Sequence, residues 1–488
     1  MKFMQKIKHM LADGASSAMS WQEFLEREIA RWKRSDERKA MLAGERYYIG
    51  QQDILRRRRT AIGEGGELKE VANLPNSRII DNQYAKQVDQ KSNYLFGRPI
   101  SFDTQNADYG KQLRSLFGAH FHRALRRAAV YALNSGKTWI HPYFSDDGQL
   151  LFRCYPGYEI LPFWEDREHT RLQMAVRLYE VEAYRGSKLE IIEKVEVLTA
   201  EGIYRYELQR GKLIPEAGKE FSGYIEMDGG AETVQYTWER LPLIAFKANS
   251  AEKPLIQDVK CLQDGINLIL SDFANNMQED YRNTVLVVHN YDGEDLGELR
   301  RNLITYGAVK IRTTEGISGG VEALRIGVNS ENYRAILDMF KKALIENARG
   351  FDAKDERLSG NPNQMNIQSI YNDIDLDANS MEVEAQAAFE ELLWFANTYF
   401  ANTGRGDYFA EDVRVIFDRD VLINESESIA NCAASIGILS QETIMRQHPW
   451  VTDPEQELER LKKEQEEQMQ PYSAYNLEEP INGQETDS

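Results

Sequence analysis

The spacing of apolar residues changes character several times along the chain, and each change predicts a different element. Trp21, Phe24, Leu25, Ile29 and Trp32 recur at three- and four-residue steps, the period of an amphipathic helix. A further helix is expected to end at Arg56-Arg57-Arg58-Arg59, because Gly63-Glu64-Gly65-Gly66 just beyond is a strong breaker. A polar start at Asn76 leads into a helix that Gly97 caps and Pro99 stops, and another helix runs from His120 to Leu133. From about Lys137 to Phe246 the pattern shortens to runs such as Thr138-Trp139-Ile140 and Leu150-Leu151-Phe152. Turns such as Asp146-Asp147-Gly148 and Met227-Asp228-Gly229-Gly230 separate them, which predicts an antiparallel β-rich region.

The helical period returns at Pro254, a residue suited to a first helical turn. Leu255, Val259, Leu262, Ile266, Ile269, Phe273 and Met277 form one stripe. Gln257, Asp258, Lys260, Gln263, Asp264, Asn267, Ser271, Asp272 and Asn275 fill the other side. The pattern predicts a rod over 254–282, roughly 42 Å long at 1.5 Å per residue. Such a rod packs sideways on its apolar stripe and keeps its polar face wet. A small α/β insert follows, with strands at 284–288, 308–311 and 321–326 and a helix at 293–305. Ser330 caps a helix that ends at Arg349-Gly350. Residues 350–363 form a polar loop too long for a turn. A helix of about 35 residues, well beyond the usual length, then runs toward Phe400. A strand at 413–417 and a helical remainder complete the chain.

Composition narrows the class. The 488 residues are 42% hydrophobic, enough for several packed domains and against global disorder. A net charge of −19 argues against a tight DNA clamp, which needs many phosphate-neutralising cations. No run approaches the ~18–20 apolar residues of a membrane span. Met1–His9 is broken by lysines and lacks the apolar core of a secretory signal. Cys154, Cys261 and Cys432 are too scattered for a disulfide framework or a CxxC site. The expectation is a soluble, multidomain α+β protein of a reducing compartment. Residues 454–488 carry ten acids against three bases, and a disordered acidic tail is expected over 471–488.

Motifs that carry chemistry elsewhere fail here on their own requirements. Asn134-Ser135-Gly136-Lys137-Thr138 ends like a phosphate-binding loop, but Tyr131 stands where that loop needs glycine, and a helix precedes it where a strand is required. Asp373-Ile374-Asp375-Leu376-Asp377 with Glu384 imitates a calcium loop, but Ala378 replaces the turn glycine and Ile374 and Leu376 look buried. Gly316-Ile317-Ser318-Gly319-Gly320 spells a nucleophile elbow but lies between strands. His120 and His122 point apart on a helix, with no further ligand nearby. The four arginines at 56–59 suit a solvated surface, or a phosphate.

The order of these parts is that of a known family. In Arg46-Tyr47-Tyr48-Ile49-Gly50-Gln51-Gln52-Asp53-Ile54 and Lys91-Ser92-Asn93-Tyr94-Leu95-Phe96-Gly97-Arg98-Pro99-Ile100 the chain resembles the portal proteins of tailed bacteriophages, the branch found in many siphophages of Gram-positive bacteria. Further matches are Leu270-Ser271-Asp272-Phe273-Ala274-Asn275-Asn276, Phe351-Asp352 through Gly360-Asn361, and Ile436-Gly437-Ile438-Leu439-Ser440-Gln441-Glu442-Thr443. They spread over most of residues 40–465 and are loosest around 180–235.

The resemblance implies a phage portal fold with an N-terminal region and wing over 1–253, a stem helix at 254–282 and a small α/β clip at 283–329. It further implies a second stem helix at 330–350, a tunnel loop at 351–366, a long wing/crown helix at 367–405 and a helical crown at 406–470. It implies one subunit of a homo-oligomeric, usually dodecameric ring at a single capsid vertex, serving genome packaging and ejection and nucleating procapsid assembly. Such a protein belongs to the virion, passes through the host cytoplasm during assembly, and carries no catalytic site, cofactor or metal. The implied partners are double-stranded DNA passing non-specifically, the terminase large subunit, major capsid and scaffold proteins, and head-completion or tail adaptor proteins, with no membrane.

Within that frame Arg334, Lys341, Lys342, Lys354 and Arg357 are candidates for transient DNA-backbone contacts. Ser359, Asn361, Asn363 and Gln364 are candidates for touching passing DNA without reading its sequence. Plain solvation or an ion pair with a neighbouring subunit suits the second rod's lysines equally. Val285, Val287, Asp295, Leu296 and Val309 are the clip's candidates for holding its neighbour or the motor; the valines and leucine equally suit the insert's own core. Two readings from other classes stand beside this one: a nucleic-acid-processing enzyme with an acidic metal site, and a monomeric minor head protein.

Overall fold

The computed structural model describes residues 20–62, 66–70, 75–228, 233–279, 284–289, 297, 320–325, 330–352, 364–419, 425–451, 457–458 and 460–464. The chain divides into two compact units, Met1–Gly350 with Ile374–Asp420 and Phe351–Asp373 with Val421–Ser488.

In the first unit, helix α1 (Trp21–Arg34) starts at a capping box. Ser20 Oγ accepts the Glu23 amide and the Glu23 carboxylate accepts the Ser20 amide. Ser35 ends α1 and caps α2 (Asp36–Tyr48) by accepting the Arg38 amide. A 3-10 turn at Asp53–Arg56 leads to the hairpin β1 (Thr60–Ile62) and β2 (Leu68–Glu70), then α3 (Gln83–Phe96), β3 (Ser101–Asp103), α4 (Ala107–Leu116) and α5 (Ala119–Ser135).

The stretch read as alternating is a succession of strands: β4 (Lys137–Phe144), β5 (Leu150–Tyr155), β6 (Ile160–Trp164), β7 (Leu172–Arg185), β8 (Lys188–Thr199) and β9 (Gly202–Gln209). They continue through β10 (Lys212–Pro215), β11 (Phe221–Ser222), β12 (Ile225–Asp228), β13 (Thr233–Tyr236) and β14 (Ile244–Lys247). Strands β10, β9, β8, β7 and β6 neighbour one another in that order as an antiparallel meander, and β11 also pairs with β9. A three-stranded sheet runs β14, β4, β5.

Alternation on β7 explains how this region is held. Met174, Val176 and Leu178 face one way and pack with Leu25, Ile29 and Trp32 of α1. Ala175 faces the other way, into Trp139, Tyr155, Ile160 and Leu243. A one-residue slip of β7 against β8 would exchange these sets and expose both cores.

The remaining elements of the first unit are α6 (Ile256–Glu279), β15 (Thr284–His289), β16 (Gly320–Arg325), α7 (Ser330–Asn347), α8 (Gln364–Asn402) and β17 (Arg414–Ile416). The residues of α8 up to Asp373 belong to the second unit. The main core gathers α5 and α8: Phe121 stands edge-on to Phe389, ring centres 5.7 Å apart, and β17 forms a two-stranded sheet with β3 that pairs Val415 with Phe102. In the second unit Phe351 stacks on Tyr371, and α9 (Glu425–Ala434) is followed by α10 (Gln441–Gln447), capped by Ser440.

Two readings of the sequence need correction. The arginine run does not end an α-helix: it leaves a 3-10 turn and is tied down, Arg57 to Asp272 at 2.6 Å and Arg59 Nη1 donating to the Pro75 carbonyl. Leu376 is 61% exposed, not buried, because the acidic run lies on continuous helix. The acids there are anchors. Asp377 takes the Lys91 ammonium at 2.6 Å, and Asp375 takes the Tyr94 hydroxyl and Arg419. The GxSxG serine, the helix at 293–305, the strand at 308–311 and the acidic tail lie outside the described residues.

Candidate channel helices and their bracing

Helices α6 and α7 lie antiparallel, since their contacts step from Gly265 with Phe340 to Asn276 with Tyr333. Gly265 is required at the first point. A Cβ there would sit 2.5 Å from the Phe340 ring, so the pair closes only over a bare backbone. Further along, Phe273 and Tyr333 pack ring to ring at 5.3 Å, and Asn276 Nδ2 donates to the Tyr333 hydroxyl at 2.9 Å.

The polar face of α6 is the main departure from expectation. Gln263, Asn267, Ser271 and Asn275 are almost wholly buried, not wet. They follow one another at four-residue steps, so they form a single stripe. Against that stripe lie an extended segment, residues 77–82, and the first turn of α3 that follows it, and backbone amides of both donate to the stripe in reverse order. Tyr84 N–H reaches Gln263 Oε1 at 2.9 Å, Asp81 N–H reaches Asn267 Oδ1 at 3.0 Å, Ile79 N–H reaches Ser271 Oγ at 2.9 Å and Ser77 N–H reaches Asn275 Oδ1 at 2.7 Å. Gln263 Nε2 returns a bond to the Asp81 carbonyl, and Asn267 Nδ2 donates to Gln52 Oε1. A chain segment without ladder partners of its own thus has its amides satisfied by side chains.

Ion pairs flank the stripe. Lys260 joins Asp53 and Asp264, Asp264 also accepts the Tyr47 hydroxyl, and Arg57 holds Asp272. Burial opposes the charge on Lys260, but its bonds to Asp264 and Asp53 outweigh that and raise its pKa above the usual lysine range.

The entry to α6 is fixed by a second, buried cluster. Glu252 lies between Lys137 at 2.5 Å, His169 at 2.7 Å and Lys247 at 3.0 Å. The Lys137 side chain is 2% exposed and has Glu37 as its other partner. Burial alone would raise the Glu252 pKa. The Lys137 charge and the hydrogen bonds from Lys137, His169 and Lys247 overcome it and hold the carboxyl at about 2. Gly136, at φ +80°, allows this approach, because a Cβ there would collide with the Glu252 carbonyl.

The residues singled out from sequence are placed differently from one another. Arg334 and Lys342 are exposed on α7, and Arg334 lies 3.9 Å from Asp338 one turn on. Lys341 instead pairs with Asp81 at 2.6 Å within the same chain, so it belongs to the bracing of the extended segment. Val285 and Val287 lie on β15, opposite Leu324 and Glu322 of β16. Gln364 opens α8. Lys354, Arg357, Ser359, Asn361, Asn363, Asp295, Leu296 and Val309 lie outside the described residues. Sequence reasoning missed the amide stripe and Glu252. The stripe had one legible sign: four uncharged polar residues at strict four-residue spacing, flanked by charged ones.

The braced pair leaves a mixed surface open. Cys261, Leu268 and Met277 of α6 and Ile336, Met339 and Lys342 of α7 are exposed. Among the described residues no group of His, Cys, Asp and Glu is arranged to hold a metal, and no helix is long and apolar enough to cross a membrane.

The family model described as phage portal protein, SPP1 Gp6-like, matches residues 29–471. The portal protein of Bacillus phage SPP1 is 28% identical over 430 residues, covering 87% of this chain and 83% of that protein. The portal protein of Clostridium phage phiCD119 is 26% identical over 433 residues, covering 86% of this chain and 91% of its own length.

Proposed function

The chain belongs to the SPP1 Gp6-like phage portal protein family, and from that membership we propose that it closes into a homo-oligomeric ring at one capsid vertex and conducts the genome. The observation that carries this reading is the family match over residues 29–471, which takes in both helices of the braced pair. In this reading α6 and α7 are the stem, β15 and β16 belong to the clip, residues 351–366 are the tunnel loop with its last three residues in the first turn of α8, and α8 leads to the crown.

The chemistry of the pair suits a stave. The brace holds α6 straight from one side and α7 supports it from another, leaving the exposed surface with Leu268, Ile336 and Met339 for a neighbouring copy. In the second unit Ile436, Ile438 and Leu439 are exposed as a group, a second apolar surface for assembly. A subunit with net charge −19 repels phosphate as a whole, so a ring of such subunits lets DNA slide where a basic bore would hold it through counterion release. Lys342 and Arg334 on α7, with Lys354, Arg357, Ser359, Asn361, Asn363 and Gln364 at the loop, supply brief contacts to a passing backbone. The clip, with Val285, Val287, Asp295, Leu296 and Val309, is the surface offered to terminase during packaging and to head-completion proteins afterwards. The ring seeds the vertex with capsid and scaffold proteins and stays in the virion. No catalytic residue, cofactor or metal is assigned.

Packaging measurements test the DNA assignment. Virions carrying Lys342→Ala with Lys354→Ala are expected to package shorter DNA or to lose it faster on storage. Lys341→Ala, whose partner is Asp81, is expected to leave packaged length unchanged while lowering thermal stability by about 1 kcal/mol or less. Unchanged length and retention in the double variant would remove these cations from the mechanism.

A further inference from the structure

The first unit holds a groove of about 1130 Å³ that the ring reading does not use. It lies between the β6–β9 region, the Glu239–Ala245 segment and one face of α8. Its size exceeds the roughly 300–1,000 Å³ of small-molecule sites, and it is an open trough, which suits a peptide. Trp164, Leu172, Leu241 and Tyr204 give it an apolar floor. Glu168, Glu201, Glu239, Glu384 and Glu390 line it and make no ion pair with any described residue. Two further rim acids, Glu165 and Glu391, are already neutralised by Arg171 and Arg240. The groove therefore carries apolar area and surplus negative charge together, and its occupant must be amphipathic and basic.

Trp21 also lines this groove. It is the first residue of α1, and the 19 residues Met1–Met19 end one position before its cap Ser20. That segment has the complementary chemistry. Lys2, Lys6, Lys8 and His9 stand against the single acid Asp13, and Phe3, Ile7, Met10 and Leu11 recur at helical spacing. A tether this short keeps the segment at an effective concentration of about millimolar beside the groove, so weak complementarity is enough to fill it.

We propose that residues 1–19 dock in the acidic, aromatic groove of their own subunit, placing Phe3 and Ile7 on the Trp164–Leu241 floor and the lysines against Glu201, Glu239, Glu384 and Glu390. The proposal does not depend on ring closure, and either can fail without the other.

Zero-length carbodiimide cross-linking of the full chain followed by mass spectrometry tests it, on an equal mixture of unlabelled and nitrogen-15-labelled protein. The expected result is amide links from Lys2, Lys6 or Lys8 to the groove glutamates, within chains of one isotope. Their yield should fall about fivefold or more in Glu239→Lys with Glu384→Lys, and equally in Phe3→Ser with Ile7→Ser, which keeps every lysine, while the link of a reference ion pair outside the groove, Lys212 with Glu26, is unaffected. The second variant alters only the segment, so it reports even if the groove variant folds poorly. Links landing only on carboxylates outside the groove, or unchanged by the segment variant, would overturn the proposal. Links joining chains of different isotope would also overturn it, by giving the groove to a neighbouring copy.

Discussion

Asn267→Leu is expected to destabilise the first unit by about 2–5 kcal/mol, although the two side chains differ little in size. In the native chain Asn267 Oδ1 accepts the Asp81 amide and its Nδ2 donates to Gln52 Oε1. Leucine leaves both groups unpaired in a buried site, each costing about 1–3 kcal/mol, and returns only part of that as apolar burial. The extended segment and the helical turn after it would then be held at three points instead of four, and Gln52, which also donates to Asn82 Oδ1 and the Tyr47 carbonyl, would lose its hold on α6. Differential scanning calorimetry should show the main transition lowered by about 2–6 °C, the smaller shift per kcal/mol expected of a large unit. Gln257→Leu, on the exposed side of the same helix, should move it by about 1 °C or less. Equal, small shifts in both would contradict the buried ladder.

The second large effect is at Glu252. Glu252→Ala leaves Lys137 with Glu37 alone and leaves Lys247 without a carboxylate, which is expected to cost about 3–5 kcal/mol. The pH dependence comes from the depressed pKa. A carboxyl held near 2 in the folded chain and at its ordinary value when unfolded contributes stability that is fully present above the ordinary value. That contribution is lost as pH falls toward 2. Denaturant titrations between pH 5 and 2 should therefore show a steep acid limb in the native chain. Glu252→Gln, which keeps the shape and removes the charge, should start lower and show a shallower limb. A parallel pair of curves would mean the cluster does not set the acid response.

The sequence exposed some of this and hid the rest for physical reasons. The α1 stripe and the β-rich region were legible because one buried face imposes a period on the chain, as Leu25, Ile29 and Trp32 show. Residues 77–84 carry no such period, since they are held through their backbone amides. Amide and hydroxyl side chains satisfy water and buried N–H groups equally well, so Gln263, Asn267, Ser271 and Asn275 read as a wet face. Lys341 looked like its neighbour Lys342 because the partner that distinguishes it, Asp81, lies far away in sequence. Glu252 was hidden for a related reason. Its role depends on a positive φ of 52° and on three partners from separate strands and loops, none of which a single chain position reveals. The portal resemblance was legible because several short stretches fall in one order along the chain, and the family match spans the same region.

Whether these subunits close around a channel is decided by end-on electron microscopy of the purified full-length protein. Closed rings with a stain-filled central opening, built from copies of the 56.2 kDa chain, are the expected result. Solitary particles of that mass at every concentration, with no opening, would contradict ring formation and the conduit with it.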